Sequence, residues 1–296
     1  MTPAFPALVA VVGPVEPALL TAWTAHYRQL GVERFHLAFH FPEHVPGAWR
    51  HQMLDTARAL DLPTGQVSTG PWHEHTNTEL RDALREQAGP GWHLLADSDE
   101  FHTYPAPLTE VTTAAEENGR AVVGALMLDR VSADGRLALW RPESGLDRAF
   151  PLGGHLTHRL LHGDPRKIVL ALSDVAVASG NHRAPGRQPD PHALACVHHF
   201  KWRSGVLDDL RRRVDHFTTG AWTEHTPAVR TEATRLLQHI DRHQGRIDVS
   251  DPRLGFRHVT LDGLPDGWAA EAAQIHAAWR PPRQSRPGST ISSPSP

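Results

Sequence analysis

Residues 92–101 read WHLLADSDEF, and everything else in the chain is interpreted outward from them. Leu94, Leu95 and Ala96 have the apolar character of a buried strand's last residues. Asp97, Asp99 and Glu100 then put three carboxylates within four positions. Leaving one such charge buried and unpaired costs several kcal/mol, so the acids must meet water, partner cations or a metal. An acidic turn in solvent would satisfy them. So would a binding site built at the carboxyl end of a strand.

The flanking sequence favours a site. Upstream, ALVAVV (7–12) is a short apolar run, and PALLTAWTAHYRQLG (17–31) carries Leu19, Leu20, Trp23, Tyr27 and Leu30 at helical spacing with Gly31 as its stop. RFHLAFHF (34–41) alternates as a second strand, and GAWRHQMLDTARALDL (47–62) reads as a second helix. TNTELRDALREQAG (76–89) opens on a capping pattern, Thr76 before Glu79, and closes on Gly89. Strand and helix alternation of this kind predicts an α/β fold: one Rossmann-like domain over residues 1–280, with a mixed, mostly parallel sheet flanked by helices. Ligands of such sheets bind beyond the carboxyl ends of the strands, where the acidic cluster falls. In the second half, AVVGALMLDRV (121–131) predicts a strand with RLALW (136–140) returning as its hairpin partner. RKIVLALSDVAVASG (166–180) predicts two short strands and ALACVHHFKW (193–202) another. Helices resume in GVLDDLRRRVDHF and PAVRTEATRLLQHIDRH.

Composition bounds the function. The 296 residues suffice for a sizeable core, and a net charge of -3 with 22 histidines does not suggest a nucleic-acid binder. Lys167 and Lys201 are the only lysines; every other basic residue is arginine. Cys196 is the sole cysteine, which fits a reducing compartment, and no run approaches the length of a membrane span. A cytoplasmic protein with no integral membrane segment is the expectation. The proline- and serine-rich residues 281–296 are expected to be a disordered tail.

On a continuing strand, Asp97 and Asp99 would leave the same face and suit a hard divalent cation, Mg2+ or Mn2+, that bridges phosphates. An EF-hand is excluded by the missing glycine and terminal glutamate, and a phosphoaspartyl motif by Glu100. In ACVHHFKW, strand alternation puts His199 and Lys201 on one face, a metal ligand beside a phosphate-binding cation, with His198 on the other. His155, His158 and His162 have the spacing of a zinc face or of ordinary solvated histidines. WHEHTNTE lacks the second histidine of a zincin helix.

The ordered set of features resembles the GT-A glycosyltransferases, in the branch related to families 2 and 92. The match runs from VEPALLTAWTAHYRQLGVERFHLAF through WHLLADSDEFHTYP, LDRVSADGRL and KIVLALSDVAVASGNHR to VHHFKWR, roughly residues 5–215. The resemblance implies a metal-dependent glycosyltransferase of the hexosyltransferase type, moving a sugar from a UDP- or GDP-linked nucleotide-sugar donor to a hydroxyl acceptor. Asp97 and Asp99 would be its DXD motif and, with His199, its Mn2+ or Mg2+ ligands, His198 competing for the histidine's role. Glu16, Arg130, Lys201 and His182 would face the donor and its phosphates. Asp129 is the first candidate for catalytic base, with Asp174 and Asp190 as rivals, and Trp92 and Trp202 are candidates to stack on sugar or base. The chain departs from the pattern at Val15, where the family carries asparagine before Glu16, and in FHFPEH, which lacks the aspartate used near the nucleobase. Two alternatives stand beside this: a divalent-metal hydrolase of phosphate esters or diphosphates, and a catalytically silent nucleotide-binding scaffold.

Overall fold

The computed structural model describes residues 5–72 and 75–279. In chain order the elements are β1 (Ala7–Val12), α1 (Pro17–Gln29), β2 (Phe35–Phe41), α2 (Gly47–Ala59), β3 (Val67–Thr69), α3 (Thr76–Ala88), β4 (Trp92–Leu95), β5 (Glu100–Thr103), α4 (Leu108–Glu117), β6 (Val122–Val131), α5 (Leu146–Ala149), β7 (Leu152–Gly154), β8 (Arg166–Leu172), β9 (Ala195–His199), α6 (Val206–Thr219), α7 (Ala228–Arg242), β10 (Arg257–His258) and α8 (Trp268–Ala278). The expected tail, 281–296, lies outside the described residues, as do His73 and Glu74 of WHEHTNTE.

The sheet is mixed and flanked by helices, as expected. Its order is β10-β7-β6-β8-β4-β1-β2-β3, with β9 on the free edge of β6 and β5 beyond it. β1 runs parallel to both β2 and β4, so all three carboxyl ends open on one edge of the sheet. β8 is antiparallel to both β4 and β6, which gives β6 the direction of β4, and β9 is parallel to β6. Hence residues 13–16, 42–44 and 96–99 and the ends of β6 and β9 share that edge.

Side-chain alternation along β1 supplies both faces. Leu8, Ala10 and Val12 pack with Trp23 and Tyr27 of α1, Met53 of α2 and Leu108 of α4; Ala7 and Val9 pack with Leu84 and Ala88 of α3. Full burial of large apolar side chains such as Leu19 and Leu20 contributes about 1.5–3 kcal/mol each. α1 closes on Gly31 at φ +91, where the amides of Gly31 and Val32 return to the carbonyls of Arg28 and Tyr27. A Cβ at Gly31 would lie 2.4 Å from the Phe5 ring, so glycine is required by space as well as by φ. Among the described residues no helix is long and apolar enough to cross a membrane.

Three expectations need correction. RLALW is not the hairpin partner of β6. That strand pairs instead with β7, β8 and β9, and Arg136 makes only an isolated bridge to Arg246. SDVAVASG forms no strand, because two buried arginines of α3 take carbonyls along it: Arg81 binds Val177 O and Ala178 O, and Arg85 binds Val175 O together with Leu172 O at the end of β8. The strand expected through Trp202 stops at His199.

Candidate active site at the carboxyl edge

The acidic segment is a turn. β4 ends at Leu95, the Glu100 amide donates to Asp97 O at 3.0 Å, and β5 leaves antiparallel to β9. The two-residue period that would aim Asp97 and Asp99 together therefore does not apply. α1 holds this turn by its backbone. Trp23 Nε1 donates to Asp97 O (3.1 Å) and Tyr27 Oη to Glu100 O (3.0 Å). The two aromatics read as core from their spacing are also the props of the acidic turn.

The acids part company. Asp97 Oδ2 accepts from Lys167 Nζ at 3.1 Å, and Glu100 Oε1 from the same ammonium at 2.6 Å; Gly180 O takes a third bond at 2.9 Å. Burial pushes Glu100 upward, but Lys167 and His102 prevail and hold it well below the usual carboxylate range. Burial pushes Asp97 up to about 6 against the pull of Lys167, and the charges of Glu100 and Asp99 add to the rise. Asp99 turns the other way, its Oδ2 lying 3.8 Å from His199 Nε2.

His199 is held from behind. Strand register sets it opposite Asp129 on β6 and Glu100 on β5. Its Nδ1 donates to Asp129 Oδ1 at 3.0 Å, which directs Nε2 toward Asp99. Burial works to lower the His199 pKa, but the hydrogen bond to Asp129 and the charge of Asp99 raise it overall. Asp129 Oδ1 also accepts from Thr157 Oγ1 (2.8 Å) and Trp202 Nε1 (2.7 Å), and Oδ2 from the Thr157 amide (2.6 Å).

The other expected site residues have these surroundings. Asp129 is fully buried with four donors on it, so it has no reach to an acceptor hydroxyl; it orients His199. Arg130 is also fully buried. Its guanidinium bonds Phe150 O, Val259 O, Asp147 and His198, all inside the protein. His198 lies between Arg130 and Thr103 on the far face of β9, which leaves His199 as the histidine on the site. Trp202 is 1% exposed and spends its Nε1 on Asp129, so it offers no stacking face. Trp92 is core, bonded to Glu116 at 2.6 Å. His182 is packed over Gly180 with Nδ1 on Arg166 O, and burial together with Lys167 lowers it to about 4. That makes it a neutral imidazole behind the acidic turn. The rival bases lie on the opposite edge. Asp174 lines a cavity of about 360 Å3 beside Asp82, Arg85 and Glu86, and Asp190 caps the His192 amide ahead of β9. The zinc face does not form: residues 157–161 make a widened helical turn and His155 bonds Glu271.

Glu16 and Lys201 do sit at this edge. Glu16 is clamped by Arg203 through Nε (3.2 Å) and Nη2 (2.7 Å), and Arg203 Nη1 is buried without a partner among the described residues. Lys201 makes no ion pair among the described residues; its ammonium lies 5.1 Å from the Trp202 ring. Burial and Arg213 lower its pKa against the charges of Asp99, Glu232 and Asp209. Glu232 on α7 escaped the sequence reading. It makes no hydrogen bond among the described residues, its Oε1 packs where a Cβ on Gly163 would come within 3.0 Å, and burial raises it against the pull of Lys201. The available signal was a charge four residues before the buried Leu236, on the apolar stripe of its helix.

A divalent cation is the group this chemistry would take. Among the described residues no three His, Cys, Asp or Glu converge as a metal site, and of the expected trio only Asp99 and His199 approach each other, at 3.8 Å. That pair fits a hard cation that draws the rest of its shell from phosphate oxygens and water, and the Asp129 carboxylate behind His199 is the usual support of a ligating imidazole.

No protein-family model and no curated protein matches the chain. Among solved structures it is similar to S. aureus TarS, at 12% identity and TM-score 0.30 over 82% of this chain, spanning only 44% of that one. S. aureus TarS 1–349 in complex with UDP-GlcNAc matches at 13% identity and TM-score 0.32, over 79% of this chain and 73% of that one. The mannosyltransferase PcManGT from Pyrobaculum calidifontis, in complex with GDP-Man and Mn2+, matches at 13% identity and TM-score 0.33, over 94% of this chain and 77% of that one.

Proposed function

We propose that the chain is a divalent-metal-dependent glycosyltransferase that uses a UDP- or GDP-linked sugar. The observation that carries this reading is the Asp99–His199 pair, 3.8 Å apart at the shared carboxyl edge of β4, β6 and β9, with Lys201, which makes no ion pair among the described residues, beside it. The donor class comes from the resemblance of the ordered motifs to the GT-A enzymes.

In this reading Asp99 and His199 would hold the cation, which when bound would offset charge on the departing nucleoside diphosphate. Asp129 keeps His199 in the tautomer that presents Nε2 outward. Lys201 meets a diphosphate oxygen, a charge-assisted contact that strengthens as the sugar–phosphate bond breaks. Glu232 takes the proton of the acceptor hydroxyl; its lack of hydrogen bonds and its raised pKa both suit a base. Glu16 fixes Arg203 at the end of β1, a position from which the guanidinium would meet the donor.

Calorimetric titration of UDP and of GDP, each with and without Mn2+, tests the reading on the intact protein and on Asp99→Ala. Mn2+-dependent binding of one nucleotide that disappears in the variant is the expected result. No binding of either nucleotide to a folded protein refutes it.

A further inference from the structure

Among the described residues the helical backbone widens only at 157–161, between β7 and β8, and both ends of that turn are fastened. At its start Asp129 accepts the Thr157 amide at 2.6 Å and Thr157 Oγ1 at 2.8 Å. At its end the Gly163 amide returns to Thr157 O at 2.9 Å, and Arg235 Nη1 donates to Leu161 O. Leu156 and Leu161 pack the turn against Ala233, Leu236 and Ile240 of α7. Widened turns of this kind recur at functional sites. The residue that leaves the turn is Gly163. It is buried and does not take a positive φ, so its backbone does not call for glycine. Space does. A Cβ there would stand 3.0 Å from Glu232 Oε1, 3.3 Å from Glu232 Cδ and 3.0 Å from Thr157 Cγ2.

We propose that Gly163 is a positioning residue: by carrying no side chain it gives the Glu232 carboxylate its seat against the widened turn. The inference rests on the transferase reading above, in which Glu232 takes the acceptor's proton. As the acceptor oxygen bonds to the sugar carbon and the sugar–phosphate bond breaks, that proton passes to a Glu232 oxygen, so the place of this oxygen governs the rate. The turn and α7 fix the place between them. α7 carries Glu232, Arg235 on the same helix ties it to the last carbonyl of the turn, and Gly163 and Thr157 form the wall behind the carboxylate. Thr157 is in turn anchored on Asp129, which also holds His199 at 3.0 Å. One buried carboxylate thus sets both the imidazole on the donor side and the wall behind the base.

Gly163→Ala tests this, because the added Cβ presses on the far ends of side chains rather than on backbone. The Glu232 carboxylate must then give way, and reacting groups about 1 Å out of place lose about 10²-fold. The readout is release of nucleoside diphosphate from a panel of UDP- and GDP-linked hexoses with water as acceptor, on the full chain, beside calorimetric Mn2+-dependent nucleotide binding. Gly163→Ala should lower release at saturating donor by about tenfold and leave the nucleotide Kd within about twofold. Glu232→Asp draws the carboxylate back by one methylene, so on that background the same substitution should change release by no more than about twofold. Arg235→Met, which frees the end of the turn without filling it, should likewise lower release only where Glu232 is intact, and it decides the matter if Gly163→Ala does not fold. Wild-type release in Gly163→Ala, equal losses on the two backgrounds, or loss of nucleotide binding in the variants overturns the inference and leaves the transferase reading standing. So does a wild type that binds nucleotide with Mn2+ yet releases nothing from any of these donors. Absence of Mn2+-dependent nucleotide binding in the wild type overturns both.

Discussion

Replacing Asp129 by asparagine distinguishes an orienting carboxylate from a catalytic one. The side chain is fully buried, with three donors on Oδ1 and one, the Thr157 amide, on Oδ2. An asparagine keeps the most bonds by placing its oxygen at the three-donor corner. Its NH2 then faces the Thr157 amide, donor against donor, at a position now separated by 2.6 Å. The substitution removes one charge-assisted bond and leaves one buried amide unpaired, and each of these is worth about 1–3 kcal/mol. The three remaining bonds lose the strength that the negative charge gave them. A loss of about 3–5 kcal/mol follows, and in a chain of this size each kcal/mol moves the thermal midpoint by about 2 °C or more. Urea unfolding at pH 7 with a chemically silent fluorescence readout measures it, and a free His199 tautomer should appear in imidazole NMR of the surviving folded fraction. A variant that unfolds at the wild-type midpoint while losing turnover would refute the assignment and return Asp129 to the role of base.

Other outcomes follow from the same structure. Glu232→Gln should lower turnover by about 10²–10⁴-fold at saturating donor, the range for a lost general base, with Mn2+-dependent nucleotide binding intact; unchanged turnover would exclude the residue. Burial works to raise Glu271, but hydrogen bonds from His155 and Arg257 outweigh it and bring the carboxyl down to about 2. Its contribution is therefore present above its unfolded value and lost as pH falls through about 2. The shift corresponds to at most about 3 kcal/mol, reduced to about 1–2 by solvent screening of a partly exposed carboxylate. The urea midpoints of wild type and Glu271→Gln should accordingly differ at pH 7 and converge toward pH 2, and a gap that widens on acidification would contradict the pairing. Cys196 is 0% exposed and burial raises its thiol pKa, so a disulfide reagent should label it only in denaturant.

The parallel half of the sheet was legible because each of its strands is a local apolar run and each of its helices has its own stripe. β1 is buried along its whole length, and α1 shows Leu19, Leu20, Trp23 and Tyr27 at the spacing that buries them. Pairing partners were not legible. The run RLALW has strand composition, but β6 already spends its two edges on β8 with β7 and on β9, all distant in sequence. The arginines that replace strand neighbours along residues 172–178 are equally invisible, because a helix sequence does not say which carbonyls its long side chains will reach. At the site, Asp99 and His199 were readable as residue types at strand ends. The separation of Asp97 from Asp99 was not, since it depends on a turn that starts one residue after β4 and on a lysine 70 positions away.

The charges that organise this edge are an expensive way to hold a fold together. Lys167 is fixed between Asp97 and Glu100, and Glu100 and Lys167 are both nearly inaccessible to solvent. Asp129 and His199 form a second buried pair 3.0 Å apart. Taking such ions out of water costs several kcal/mol each, and replacing a buried pair by well-packed apolar residues is often neutral or stabilising by about 1–4 kcal/mol. Stability alone thus gives little reason to build the carboxyl edge this way. What the two groups achieve is directional: the first fixes the turn and ties one acid to an ammonium, and the second presents one imidazole nitrogen toward the other acid. A variant that exchanged Lys167, Asp97 and Glu100 together for apolar residues should keep or gain unfolding stability while losing nucleotide-dependent Mn2+ binding. A variant that gained stability and kept that binding would show that the buried charges orient nothing.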